Sequence, residues 1–373
     1  MVRTPQQITA QKLQTDLEFF SKHALKISTK GGELVPFQFN RAQQYIQGKI
    51  IEQQKQIGRV RVLLLKGRQQ GCSTYTAARF FHRSIMQPNR NTFILSHDSQ
   101  TTDKLFDMVD RFYKHLPPPV QPGCETKNRR KLVFSGLQSV YSVGTAGNAE
   151  VGRGGTLQQF HGSETAFWQN TDNLDTGLLQ SVADLPGTEI ILESTANGAA
   201  GYYYEKCMTA MEGKGDYLLI FIPWYWQLEY RKTPPVDFSL TEEEQELKQL
   251  YKLQDSQIYW RRKKIEDFRG KVWKFKQEYP LSVMESFQSS GVAYFSQTSI
   301  VRAMNQTPEP SHGSPLVIGV DPAGGGKDEI SIARRRGSTL YPLESIVGRS
   351  DKDPMAVVGR LVQIINNEKP DMM

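Results

Sequence analysis

Apolar residues in this chain fall in short unbroken runs separated by stretches of helical periodicity. Val62–Leu65, Thr92–Ser96, Lys131–Phe134, Leu157–His161, Glu189–Glu193 and Tyr217–Ile222 read as strands. Runs apolar on both faces suit the interior of a parallel sheet. Helical patterns alternate with them, over Tyr75–Met86 and Leu105–Leu116. The alternation predicts an α/β fold with a doubly wound parallel sheet and ligands at the carboxyl ends of its strands. Ahead of the sheet, Ile8, Leu13, Leu17, Phe20 and Leu25 fall at helical spacing and predict an amphipathic helix within 6–26, with another over Pro36–Ile50.

After Pro223 the pattern changes. Trp224–Pro235 is aromatic and loop-like, and Thr241–Glu244 reads as a capping box opening a helix through Leu253. Residues 258–279 predict a further, basic helix, in which Ile265, Phe268, Val272, Phe275 and Tyr279 form a packing stripe. The Lys and Arg residues of Trp260–Pro280 then occupy its wet face, although cations among aromatics also suit a DNA backbone. Arg129–Lys131 and Arg334–Arg336 are shorter basic runs and read as solvated surface. Asn305–Pro315 (NQTPEPSHGSP) is a linker, and beyond it Leu316–Val320 is again a strand, running into Asp321.

Composition narrows the picture. At 373 residues the chain has room for two or three domains, and its formal net charge of +7 suits a polyanionic partner without requiring one. Its three cysteines, Cys72, Cys124 and Cys207, lie far apart with no C-x-x-C pair, which argues against a disulfide framework or a zinc site. The N-terminus has no apolar signal region and no run is long enough to span a bilayer, so a cytosolic protein is expected.

The richest chemistry follows the first strand, in RVLLLKGRQQGCST (61–74). Gly67 and Gly71 relieve backbone crowding, and Ser73 and Thr74 open a helix whose positive end faces an anion. Against G-x-x-x-x-G-K-[ST], Lys66 stands in place of the first glycine and Cys72 in place of the lysine. Phosphate charge still needs a cation, supplied by Lys66 or Arg68, while Ser73 keeps the hydroxyl position for Mg²⁺. A plain glycine turn between strand and helix is the competing reading. Cys72, near a helix start, is either a partly ionised thiol or a small packing residue.

A phosphate loop becomes an ATPase only with a carboxylate to orient the attacking water. Glu164, just beyond the strand at 157–161, is the candidate. The acid expected before it is Ser163, a weaker Mg²⁺ ligand acting through a bound water. A third strand ends in Glu193-Ser194-Thr195-Ala196-Asn197-Gly198, a turn suited to sensing a γ-phosphate.

In order and spacing, PFQFNRAQ, KGRQQGCST, ILSHDS, RGGTLQQFHGSETAFW, ESTANG, IFIPW, FKQEYPLSVMESF and VIGVDPAGGGKD resemble the terminase large subunit, the DNA-packaging motor of tailed bacteriophages. The resemblance implies a RecA-like P-loop ATPase domain over 1–225, a small helical linker subdomain over 226–304, and the start of an RNase H-like α/β nuclease domain over 316–373. It implies ATP and Mg²⁺, with Gly67, Gln69, Gln70, Gly71, Cys72, Ser73 and Thr74 around the phosphates and Lys66 or Arg68 as the displaced loop cation. Glu164 matches the catalytic glutamate, Ser194, Thr195 and Asn197 the coupling motif, and Gln43 an adenine-reading glutamine, a plain surface Gln being the alternative. Arg153 or a neighbouring subunit would supply an arginine to the transition state. Asp321 matches the first nuclease ligand, with a divalent metal there only if that domain is complete. Two-metal cleavage needs several carboxylates within about 4 Å of the metals. The chain stops at Asp371-Met372-Met373, where the next core strand should begin, and nearby Asp328 and Glu329 do not match, so no DNA cleavage by this chain alone is expected. Implied partners are double-stranded DNA, the portal protein, the terminase small subunit and further copies of the chain on the portal, in the bacterial host cytoplasm and without a membrane. Alternatives are a superfamily-2 helicase or restriction-type translocase, or an inactive remnant.

Overall fold

A computed structural model describes residues 5–128, 130–146, 155–169, 171, 177–288, 303, 313–321, 330–346 and 354–373. The chain divides into two compact units, Met1–Val292 and Ala293–Met373.

The first unit opens with helices α1 (Pro5–Thr15) and α2 (Leu17–Ala24), a correction to the single helix expected there. Asp16 divides them: its extended backbone and its side chain, which accepts from the Phe19 N–H at 3.0 Å, cap the second helix. A short antiparallel pair, β1 (Lys26–Ser28) and β2 (Leu34–Pro36), precedes α3 (Arg41–Ile57). The helix expected from Pro36 therefore begins only after Asn40, whose side chain forms a capping box with Gln43.

The central sheet contains β3 (Val60–Lys66), β4 (Asn91–Ser96), β5 (Cys124–Asn128), β6 (Lys131–Phe134), β7 (Ser139–Thr145), β8 (Gln159–Ser163), β9 (Glu189–Ser194) and β10 (Leu218–Ile222). Its order is β10-β3-β9-β8-β4-β7-β6-β5. The run from β10 to β7 is parallel, as the apolar runs predict. At the far edge the expectation fails: Lys131–Phe134 pairs antiparallel with both neighbours. Its partners Cys124–Asn128 and Ser139–Thr145 carry alternating or polar patterns that no buried run betrays.

On β3, Val62 and Leu64 enter one core and Leu63 and Leu65 the other, so the strand is packed on both faces. The first core is closed by α3, by α4 (Cys72–Met86) and by α5 (Ser99–Lys114); the second includes Tyr203 and Cys207 from α6 (Tyr202–Met211). Buried Glu189, at the start of β9, receives a two-pronged pair from Arg79 of α4, at 2.7 and 2.8 Å, and a further contact from Arg83. That pairing fixes the tail of α4 on the sheet and so aims its head at the ends of the strands.

A third core follows β10. Trp224, Tyr230, Leu247, Ile258, Phe275 and Tyr279 are buried, with Trp260 stacked on Trp224 and Tyr230. Its helices are α7 (Glu242–Tyr251), with the expected capping box at Thr241, then α8 (Asp255–Asp267) and α9 (Val272–Glu278). The single basic helix expected over 258–279 is thus two, broken where Arg269 and Gly270 take φ of 57° and 72°. Phe275 and Tyr279 are core and Ile265 and Phe268 pack against it, but Val272 lies exposed at the start of α9. The charges pair with nearby carboxylates: Arg261 with Glu243, Arg262 with Glu244, Lys263 with Glu266 and Lys264 with Asp267.

The second unit is an antiparallel sheet, with β12 (Ile330–Arg336) paired to β11 (Leu316–Asp321), β13 (Thr339–Leu340) and β14 (Glu344–Ile346). Helix Pro354–Glu368 follows, and Met372 then forms a parallel bridge to Val317. Arg334, expected on solvated surface, instead pairs with Glu344 and Glu368 at 2.7 and 2.9 Å and is largely covered. No helix among the described residues is long and apolar enough to cross a membrane.

Candidate functional site

The loop between β3 and α4 is held by its carbonyls. Tyr230 Oη donates to Arg68 O at 2.8 Å, Gln227 Nε2 to Gln69 O at 3.1 Å, Asn40 Nδ2 to Gln70 O at 3.1 Å and Gln43 Nε2 to Gly71 O at 2.9 Å. Four successive carbonyls are thereby turned toward the scaffold. The N–H groups of Gln69, Gln70 and Gly71 donate no backbone bond among the described residues. Gly71, at φ 78°, turns the chain into α4, and a Cβ there would lie 2.7 Å from Gln43 Nε2. At Gly67 a Cβ would crowd the Trp224 backbone at 3.3 Å. The positive φ favours glycine at position 71, and at position 67 a side chain would press on the Trp224 backbone. A nest of such N–H groups at the head of a helix is an anion cradle.

Strand order brings the carboxylates to this loop. β9 neighbours β3 and β8 neighbours β9, so the ends of all three converge. Glu164 follows β8 in a left-handed conformation, φ 53° and ψ 47°, uncommon for a side chain with a Cβ. One oxygen lies 2.9 Å from Lys66 Nζ; the other accepts from Ser194 Oγ at 3.3 Å and Thr195 N–H at 3.4 Å. Asn197 Nδ2 bonds Ala166 O at 3.1 Å, tying the loop after β9 to the turn that carries Glu164.

Lys66 is almost fully buried. Burial opposes its charge, but Glu164 and Glu193 outweigh that and raise its pKa above the ordinary lysine value. Glu193, at 0 % exposure, was not singled out from the sequence. Burial also opposes its ionisation, yet Lys66, His161 and Ser73 hold its carboxyl at about 2. His161 Nε2 lies 3.2 Å from its Oε1, and Ser163 Oγ donates to the same oxygen at 3.3 Å. The available signal was a carboxylate closing EIILES, a strand whose apolar run implies burial and hence a buried cation nearby.

The remaining expected residues divide. Lys66 points into the site, whereas the Arg68 side chain is exposed and reaches Glu278 at 3.3 Å. Gln43 is buried rather than a surface glutamine, and its Oε1 accepts from the Asn40 N–H at 2.9 Å while its Nε2 bonds Gly71 O. Cys72 is buried, and burial pushes its thiol pKa up, so it packs as a neutral side chain instead of presenting a thiolate. Ser73 and Thr74 lie in the first turn of α4. Asp321 ends β11 of the second unit and is exposed. Arg153, Asp328, Glu329, Arg129 and most of the 305–315 linker lie outside the described residues.

No protein-family model matches the sequence, and no curated protein is significantly similar to it. Solved structures are. The HK97 bacteriophage large terminase superposes with a TM-score of 0.53 at 10 % identity, over 96 % of this chain and 74 % of that one. The Thermus phage P74-26 large terminase ATPase domain gives 0.45 at 14 % identity, over 68 % of this chain and 95 % of that one. A large terminase from a thermophilic bacteriophage, in complex with ATP-gamma-S, gives 0.42 at 11 % identity, over 88 % of this chain and 74 % of that one. With the parallel order β10-β3-β9-β8-β4 and the loop after β3, this chain has the α/β fold of the HK97 bacteriophage large terminase, built on a mostly parallel central sheet.

Proposed function

We propose that the chain is the ATP-hydrolysing motor of viral DNA packaging, driving double-stranded DNA into a procapsid. The observation that carries this reading is the Lys66–Glu164 pair at 2.9 Å, at the mouth of a loop whose carbonyls are tied back and whose N–H groups at Gln69, Gln70 and Gly71 donate no backbone bond among the described residues. In this reading the N–H groups of Gln69–Gly71 and the head of α4 hold the β- and γ-phosphates of ATP. The γ-phosphate competes for Lys66 and releases Glu164, whose freed carboxylate takes the proton of the attacking water. Ser194 and Thr195, bonded to the same carboxylate, register its release and pass it to the turn at Ala166 through Asn197.

Mg²⁺ belongs to this chemistry, and the donors present suit it: the Ser73 hydroxyl heads α4, and the buried Oε2 of Glu193 has no hydrogen-bond partner among the described residues. When bound, the cation neutralises charge on the transferred phosphoryl group. In this reading residues 1–225 form the ATPase, 226–304 the linker subdomain and 316–373 belong to an RNase H-like domain, in which Asp321 would hold a divalent metal only if that domain is complete. The portal, a small subunit and further copies of the chain are its partners, in the host cytoplasm. A helicase would instead need a second ATPase-like sheet, and the described sheet of the second unit is antiparallel.

Third-strand displacement from a triplex on duplex DNA, with ATP and with a non-hydrolysable analogue, tests this reading on the chain assembled with its portal. ATP-dependent displacement is expected; displacement that is equal without hydrolysis would overturn it.

A further inference from the structure

Glu193, whose buried Oε2 is named above among the donors that suit Mg²⁺, takes no proton and holds no phosphate in the steps given there. β9 runs between β3 and β8, and Glu193 stands opposite Leu64 on one side and Ser163 on the other. Ile191 points into the core beneath α4, so Glu193, two residues on, emerges on the same face, the side from which Ser73 is presented. Ser163 occupies the position before Glu164 where an acid is expected, and its hydroxyl donates to Glu193 Oε1 at 3.3 Å. Lys66 already has a full partner in Glu164, so two carboxylates face one ammonium. The second carboxylate keeps one oxygen buried and unpartnered among the described residues.

We propose that Glu193 is the relocated acid of the Mg²⁺–nucleotide site: the neighbouring strand supplies, from behind Ser163, the carboxylate that an acid at 163 would otherwise provide. It acts as a positioning residue, orienting the Ser73 hydroxyl toward the cation and adding the negative charge that favours a divalent ion there. The inference rests on the nucleotide-binding reading given above.

The test is the affinity of the full chain for a fluorescent ATP analogue, measured with Mg²⁺ and with EDTA. It is run on the parent, on Glu193→Gln, and on the charge-conserving double variant Ser163→Asp/Glu193→Gln. Glu193→Gln is expected to cut the affinity gained from Mg²⁺ by about 10–100-fold while leaving the EDTA value within about twofold, and Ser163→Asp to restore the gain. Thermal melts accompany each variant, and the double variant carries the test where the single one does not fold. Full Mg²⁺ gain in Glu193→Gln, or no recovery in the double variant, would overturn the proposal and leave Glu193 as a charge partner of Lys66 only. A parent that binds no nucleotide in either condition would overturn the underlying reading and this inference with it.

Discussion

Lys66 and Arg68 are two residues apart and both looked eligible to meet a phosphate, yet the fold gives them different surroundings. Lys66 is covered and stands between Glu164 and Glu193, while Arg68 is exposed against Glu278. Removing Lys66 strands buried carboxylates, so Lys66→Met is expected to cost about 3–5 kcal/mol of stability and to abolish nucleotide binding. Arg68→Ala breaks a pair whose cation is exposed, although Glu278 is partly covered, and is expected to cost about 1 kcal/mol. Urea denaturation of both variants decides the matter, and the reverse ranking would contradict the assignment. At this scale the sequence is informative where a residue type has one plausible use: a lysine at a glycine loop, a glutamate past a strand. It is silent on Glu193, because its role depends on which strands lie beside β9, and strand order is not written in any local pattern.

Among the elements, α3 touches the site through its capping box. Asn40 and Gln43 cap the helix and brace the carbonyls of Gln70 and Gly71 with the same two side chains. Gln43→Ala is therefore expected to lower stability by about 1 kcal/mol and to leave the preference for ATP over GTP unchanged. Competition binding with the two nucleotides checks this, and a lost preference would assign Gln43 an adenine-reading role instead. α4 is tied to the N-terminal helices by His82, whose Nε2 lies 2.8 Å from Leu13 O. Burial, with help from Arg79 and Arg83, lowers its pKa from 6.5 to about 4. Unfolded chain thus takes up this proton first as pH falls, and stability that is complete above pH 6.5 declines toward pH 4 by up to about 3 kcal/mol. Denaturation midpoints across that window should flatten in His82→Gln; parallel curves for parent and variant would contradict it. The parallel strands were legible because both their faces are buried. The hairpin Lys131–Thr145 was not, since Ser139–Thr145 alternates and reads as surface. The break at Arg269–Gly270 was signalled only by one glycine inside an otherwise continuous stripe.

At the scale of the whole molecule, the loop, Glu164, Glu193, the turn after β9 and the third core all lie within Met1–Val292. A fragment ending at Val292 should bind nucleotide with the affinity of the full chain, as fluorescence titration can establish; a large loss would assign part of the site to the second unit. The charges of α8 are paired to carboxylates nearby, so the +7 net charge is not concentrated there as a DNA-tracking face. The central claim is that ATP is hydrolysed at the Lys66–Glu164 pair, and its most direct test is Mg²⁺-dependent turnover in the presence of double-stranded DNA, for the parent and for Glu164→Gln. The account predicts a fall of about 10²–10⁴-fold with nucleotide binding retained; turnover of Glu164→Gln at the parental rate would contradict it.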